Sequence, residues 1–174
     1  MQYQIVKSIG VALFAAVIAV SPLVGCSTGS LTGASAFGGN RLKVAEISNI
    51  GDYTEERALS EARAHFRNND FGYSAALYKR VVELAPNKAE GYVGLGASYD
   101  RLHRFDLSDR VYDALYRLAG GTTQYFNNIG YSYLLRGNLS AALTNFRKAK
   151  NLDPDNVVVA NNLQIVANAA AGRA

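Results

Sequence analysis

From Glu55 to Ala171, apolar and small side chains recur at the three- and four-residue spacing of amphipathic helices. Short polar turns interrupt them at Asn68–Asp70, Asn87–Lys88, His103–Arg104, Gly120–Thr122, Gly137–Asn138 and Asp153–Asn156. The pattern predicts helices of about 12 to 14 residues joined by tight turns. It also repeats: segments starting at Glu55, Ala89 and Thr123 carry like residues at like places, 34 residues apart. Such a period has to be recognised before any single motif is weighed.

A 34-residue unit of two helices resembles the tetratricopeptide repeat. The third unit carries nearly the whole pattern in Phe126, Ile129, Gly130, Tyr133, Gly137, Ala142, Phe146, Ala149 and Pro154. The second aligns Tyr92, Leu95, Gly96, Tyr99, Ser108, Tyr112 and Leu115 with the same places, but has Gly120 for the terminal proline. In the first, Ala62, Ser74, Tyr78, Val81 and Pro86 fit, while Glu61 and His65 depart from the pattern, as residues of a terminal repeat do. Small residues at Ala62, Gly96, Gly130, Ser74, Ser108 and Ala142 are expected to let paired helices approach, with aromatics filling the space between them. Prolines at 86 and 154 are expected to stop the second helices, because proline lacks an N–H donor and clashes with the preceding turn. Val157 to Ala171 repeats the first-helix pattern with Ala160, Leu163, Gln164 and Ala167, which predicts a helix covering the last repeat. The expected fold is all-α: a right-handed superhelix of three helix-turn-helix repeats at 55–88, 89–122 and 123–156, closed by a capping helix within 157–174.

Ahead of the repeats, residues 1–25 have the three parts of a secretory signal: Lys7, the apolar run Ile9–Val20, then Ser21 and Pro22 before a small-residue cleavage site. A membrane-spanning helix needs about 20 predominantly apolar residues, more than this run offers before Pro22. Cys26 is the only cysteine, so no intramolecular disulfide and no cysteine-rich metal site is expected. Leu23, Gly25 and Cys26 resemble the lipobox of bacterial lipoproteins. That resemblance implies acylation of Cys26, cleavage just before it and a periplasm-facing place in the cell envelope. Ser27, where an inner-membrane retention signal has Asp, implies the outer membrane. Each buried CH₂ of an acyl chain contributes about 0.8 kcal/mol, so two or three chains make a lasting anchor. Residues 26–54 read as a linker, with Ser27–Asn40 rich in Ser, Gly, Thr and Ala. Arg41–Tyr53 regains apolar residues at mixed spacing, which leaves three outcomes open: disorder, docking on the first repeat, or occupation of the protein's own groove.

The net charge of +4 does not point to nucleic acid, because both signs interleave along the repeats rather than gathering on one face. Neither a nucleophile with its base, nor a metal cluster, nor a phosphate loop can be read from the spacing; His65 and His103 fall at different repeat positions. The expected protein is therefore not an enzyme, with no cofactor and no metal, and its function is expected in binding. In the fold it resembles, first helices line a groove. The corresponding positions are Arg63, Phe66 and Arg67, then Glu90, Val93, Ala97, Asp100 and Arg101, then Gln124, Asn127, Asn128, Tyr131 and Leu134, then Asn161, Asn162 and Ile165. Asn127 and Asn128 recur one repeat later as Asn161 and Asn162. Amides carry donors and an acceptor, so such a ladder suits an extended peptide backbone; the same groups equally serve hydrogen bonds between helices. The lysine and asparagine pattern of chaperone-binding carboxylate clamps is absent from these positions.

The stretches YVGLGASYDRLHRF and NNIGYSYLLRGNLSAALTNF resemble the TadD lipoproteins of tight adherence (Flp) pilus assembly. The resemblance implies an envelope scaffold acting as assembly factor or pilotin, with a secretin or other secretion components as partners. A second expectation is an envelope adaptor that recruits peptidoglycan hydrolases or outer-membrane assembly factors.

Overall fold

The computed structural model describes residues 43–172. The leader, Cys26 and the linker up to residue 42 lie outside the described residues. Among the described residues a 3₁₀ turn (Ile50–Asp52) precedes helices α1 (Glu55–Arg67), α2 (Phe71–Leu84), α3 (Ala89–Arg101), α4 (Phe105–Ala119), α5 (Thr123–Leu135), α6 (Leu139–Leu152) and α7 (Val157–Ala171). The first helices of successive units thus start at Glu55, Ala89, Thr123 and Val157.

The residue before each first helix explains the start. Thr54 and Thr122 accept from the backbone N–H three residues on at 3.3 and 3.1 Å, and Asn156 does the same for Val159 at 3.1 Å. Each satisfies an N–H that the helix itself leaves without a partner. At the same place in the second unit stands Lys88, which makes no such cap and pairs instead with Glu55 across the repeat. The turn inside each unit needs a left-handed residue: Asn69 (φ 62°), His103 (φ 56°) and Gly137 (φ 75°) occupy it in turn. Glycine adopts this conformation without steric cost, asparagine tolerates it, and histidine is the costliest of the three.

The small residues act as expected. A Cβ built on Gly96 would lie 2.6 Å from the Tyr112 ring, and one on Gly130 would lie 2.6 Å from the Phe146 ring. Ser74 Oγ donates to the Ala62 carbonyl at 3.1 Å, tying α2 to α1 at the corresponding contact. The second helix ends two residues before Pro86 and Pro154, whereas α4, with Gly120 (φ 70°) in that place, runs on to Ala119.

Packing falls into two apolar clusters among the described residues. One joins the first two units through Ala62, Ala75, Leu77, Tyr78, Leu95, Tyr99 and Leu102. The other joins the third unit to α7 through Ala142, Phe146 and Val166.

α7 differs from its sequence alignment in which face it buries. Val159, Asn162 and Val166 are buried, while Ala160, Gln164 and Ala167 are exposed. The positions occupied by Ala62, Gly96 and Gly130 pack on the second helix of their own unit; Gln164 has no such helix after it among the described residues and faces water. Residues 43–53 dock on the first unit, which decides among the three outcomes left open. Ala45 N–H donates to the Gly72 carbonyl at 3.1 Å, and Arg80 Nη2 to the Gly51 carbonyl at 2.7 Å. Val44, Ile47, Ile50 and Tyr53 pack on the first cluster. The two departures in α1 are accounted for as well. Glu61 receives the Tyr53 hydroxyl and Arg57 Nε, both at 2.9 Å, and His65 stacks on Tyr73 with ring centroids 5.1 Å apart. No described helix is long and apolar enough to cross a membrane.

Candidate protein-binding cleft

A cleft of about 400 Å³ opens where α1, α3, α5 and α7 come together. Nine residues singled out in the sequence meet there: Phe66, Val93, Ala97, Asp100, Arg101, Asn127, Asn128, Tyr131 and Asn162. Gln124 lies in an adjoining hollow that shares Asn127, Asn128 and Val158 with the main cleft and adds Asn156. Arg63, Arg67 and Asn161 are exposed beside the lining rather than in it. Arg63 pairs with Glu90 across the first two units, so those two side chains neutralise each other. Residues 43–53 contribute nothing to the lining, so this segment does not fill the cleft.

Four lining residues were not foreseen: Tyr78, Gly94, Tyr112 and Val158. Tyr78 and Tyr112 stand at the aromatic place of the second helices, which sequence reasoning assigned wholly to packing. Gly94 is what uncovers Tyr78, since a Cβ there would lie 2.2 Å from the ring. The readable hint was a glycine at a position whose neighbours one unit away carry side chains.

Asp100 differs from its expected role. It is 1% exposed, and its carboxylate accepts from Tyr112 Oη at 2.8 Å and Ser132 Oγ at 2.6 Å. Burial raises its pKa above the usual carboxylate range, against the opposing pull of the hydrogen bonds from Ser132, Ser108 and Tyr112 and of the Arg136 charge. Burial likewise pushes the Tyr112 phenol well up, and the facing Asp100 charge adds to it. Ser132 in turn accepts from Arg136 Nη2 at 3.0 Å, and Arg136 pairs with Asp109. Asp100 is therefore the centre of a polar joint linking α3, α4 and α5 rather than a group offered to a ligand.

The asparagines divide between the two uses the sequence left open. Asn162, 9% exposed, donates through Nδ2 to Asn127 Oδ1 at 2.8 Å and so holds α7 against α5. One unit earlier the residue facing Asn128 is Val93, which has no acceptor, and the half-buried Asn128 amide hydrogen-bonds to no described side chain. Asn128 is thus the amide that lines the cleft with its polar groups uncommitted. No group of three or more metal-ligating side chains occurs among the described residues.

Residues 123–156 match the tetratricopeptide repeat family. Solved structures extend the likeness over the array, and the fold is that of a tetratricopeptide superhelix. The first such domain of human RPAP3 superposes with a TM-score of 0.59 at 16% identity, covering 68% of this chain and 93% of that one. The first repeat domain of Spaghetti (RPAP3), bound to the HSP90 peptide SRMEEVD, gives 0.57 at 16% identity, over 67% and 93%. An O-GlcNAc transferase mutant from Thermobaculum terrenum gives 0.58 at 22% identity, over 70% of this chain but 23% of that chain. No protein of curated function matches the chain. Tetratricopeptide arrays are typically non-catalytic modules for protein–protein interaction, and in the transferase the likeness covers only a minor part of the enzyme.

Proposed function

We propose that this chain is an envelope scaffold which holds a segment of a partner protein in the cleft between α1, α3, α5 and α7. The observation that carries the reading is the cleft itself: apolar side chains of Phe66, Val93, Ala97 and Tyr131 stand beside the uncommitted amide of Asn128, and the chain's own segment 43–53 docks elsewhere. Apolar anchors and backbone-reading amides together are what an extended polypeptide requires. The neighbour that carries a bound peptide supports the same class of ligand.

Leu23, Gly25 and Cys26 support an acyl anchor at Cys26, which would restrict the array to the membrane surface of the bacterial envelope, in the outer membrane by the Ser27 rule. Residues 27–42 then set its reach. Within that setting the resemblance to TadD lipoproteins favours assembly of the tight adherence pilus, with the secretin or another secretion component as partner. Cross-linking of the full lipidated protein in its own cells, followed by detergent pull-down and mass spectrometry, tests this. Secretin or pilus-assembly proteins that are lost with Asn128→Ala support the reading. Peptidoglycan hydrolases or outer-membrane assembly factors in their place move the protein to the adaptor class. A partner retained by Asn128→Ala and cross-linked outside the cleft overturns the groove. Cys26→Ala is expected to release the protein from membranes, and persistent attachment would refute the anchor.

A further inference from the structure

The second and third units meet differently from the first and second. Between α2 and α3 the contact includes Val82 and Gly91, where a Cβ on the glycine would lie 3.1 Å from the valine side chain. One repeat later the same two places hold Tyr116 and Tyr125, whose ring centroids lie 5.1 Å apart. Two tyrosines in place of a valine and a glycine hold α4 off α5. The residues behind them register the change: Leu95 and Tyr99 are buried, whereas their counterparts Ile129 and Tyr133 are only partly covered.

The space so opened is a groove of about 790 Å³ between α4, α5 and α6. It uses the side of α5 turned away from the cleft: Tyr125, Ile129 and Tyr133 line the groove, while Asn127, Asn128 and Tyr131 line the cleft. Ile129 is the one aliphatic side chain among its described lining residues, so the walls are aromatic and hydroxylic.

The hydroxyls of Tyr116, Tyr125 and Tyr133 hydrogen-bond to no described residue. Burial raises the Tyr125 pKa, and Asp113, Tyr116 and Tyr133 add to the rise, so these groups gather around one another. Arg117 of α4 and Lys148 of α6 also line the groove and, like Asp113, join no ion pair among the described residues. The Asn145 amide is turned to its own helix, donating to the Ala141 carbonyl at 2.9 Å. Three phenols and two cations thus supply donors, while only the Asp113 carboxylate and Asn145 Oδ1 accept without donating.

That balance narrows the ligand. A helix has few free carbonyls along its length, and an extended strand of mixed sequence brings an N–H with each carbonyl. A run of prolines brings carbonyls and no N–H, and its rings pack on aromatic faces. It is already extended as polyproline II, so docking costs it little conformational entropy. The uncommitted charges are of both signs, which gives no strong field to favour a highly charged ligand.

We propose that the groove between α4, α5 and α6 binds a proline-rich segment of a partner protein in the polyproline II conformation. Its pyrrolidine rings lie on Tyr116, Tyr125 and Tyr133, and its carbonyls accept from their hydroxyls. The site is separate from the cleft, so its failure leaves the cleft reading standing.

Fluorescence polarisation of a labelled oligoproline peptide, blocked at both ends, with the full lipidated chain in detergent micelles tests it. The peptide is expected to bind about tenfold or more tightly than a glycine-serine peptide of equal length. Tyr116→Ala, at a side chain 51% exposed, should weaken it about tenfold. Tyr125→Phe with Tyr133→Phe keeps both rings and should weaken it about three- to tenfold through the lost hydroxyls alone. Asn128→Ala, in the cleft, should leave it unchanged. If Tyr116→Ala lowers the helicity seen by circular dichroism, the phenylalanine pair decides alone. Equal binding of the two peptides, no binding of oligoproline, or binding untouched by the tyrosine substitutions overturns the proposal. Displacement of the peptide by a tighter-binding N-acetylglucosamine oligosaccharide would assign the groove to glycans and overturn it as well.

Discussion

At the scale of single residues, two positions carry backbone or electrostatic cost that the fold tolerates. His103 sits at φ 56° where Gly137 serves one unit later. Its ring gains only an edge contact with Phe105 at 5.5 Å. A left-handed non-glycine residue costs about 1–2 kcal/mol, so His103→Gly should raise the unfolding free energy by about 1 kcal/mol in a urea melt. A loss of stability would mean that the contact with Phe105 outweighs the backbone cost. Asp100 is the second position. Because burial raises its folded pKa, the native state binds a proton more readily than the unfolded chain between the ordinary carboxylate value and the raised one. Its contribution is thus fully present below the unfolded pKa and is lost as pH rises through the folded pKa. The stability difference between wild type and Asp100→Asn should therefore grow in favour of wild type as pH falls from neutral toward the carboxylate range. A flat difference would mean that Ser132, Ser108 and Tyr112 offset the burial in full. Asp100 was legible as a position near the cleft but not as a buried acid, because Tyr112 and Ser132 lie 12 and 32 residues away and only the folded array brings them to it.

At the scale of elements, the helix starts and stops were readable because their causes are local. Thr54, Thr122 and Asn156 cap, and Pro86 and Pro154 terminate. What could not be read was contact between elements without a shared period. Segment 43–53 docks through Val44, Ile47, Ile50 and Tyr53 at every third residue together with backbone hydrogen bonds, an interval that marks neither an α-helix nor a strand. Gly72 makes that docking possible: a Cβ there would lie 2.3 Å from the Lys43 carbonyl oxygen. Gly72→Ala should free the segment, speeding tryptic cleavage at Lys43 by about tenfold for each 1.4 kcal/mol of docking energy lost. The helicity of α2 should hold, since alanine is the better helix former by about 1 kcal/mol. Unchanged cleavage would show that the backbone contact does not hold the segment. The asparagines give a second contrast between elements. Asn162→Ala removes the donor to Asn127 that ties α7 to α5 and should cost about 1–2 kcal/mol. Asn128→Ala breaks no such tie and should change stability by less than about 0.5 kcal/mol in the same melt. Equal costs would mean that Asn128 too is structural. The repeat alignment placed both asparagines correctly along the chain. It could not separate their roles, which turn on whether the preceding unit offers an acceptor (Asn127) or a valine (Val93).

At the scale of the whole array, stability comes from neighbouring units only, so the weakest junction limits cooperativity. Among the described residues the apolar contacts gather into one cluster spanning the first two units and another spanning the third unit and α7. The joint between them includes Asp100, Tyr112 and Ser132, buried groups that stabilise one another by hydrogen bonds but individually resist burial, with the Arg136–Asp109 pair at its edge. Bulky Tyr125 contributes to this arrangement. Gly91, its counterpart in α3, meets Val81 and Val82 of α2 closely, whereas the Tyr125 ring packs on Tyr116 of α4 at 5.1 Å, keeping α4 and α5 further apart. Native-state hydrogen exchange should accordingly give two groups of protected amides, one in α1–α4 and one in α5–α7, that open at different free energies. Ser132→Ala leaves Asp100 short of a donor and should widen the gap between them, since a buried acceptor left unsatisfied costs about 1–3 kcal/mol. One common opening free energy for all seven helices, unchanged by Ser132→Ala, would mean that the polar joint couples the halves as firmly as an apolar core. Because the cleft draws Phe66 and Val93 from one side of this joint and Asn128 and Asn162 from the other, a ligand that binds it must bridge the two halves. A saturating ligand should therefore bring the two opening free energies together, by an amount set by its concentration relative to its dissociation constant.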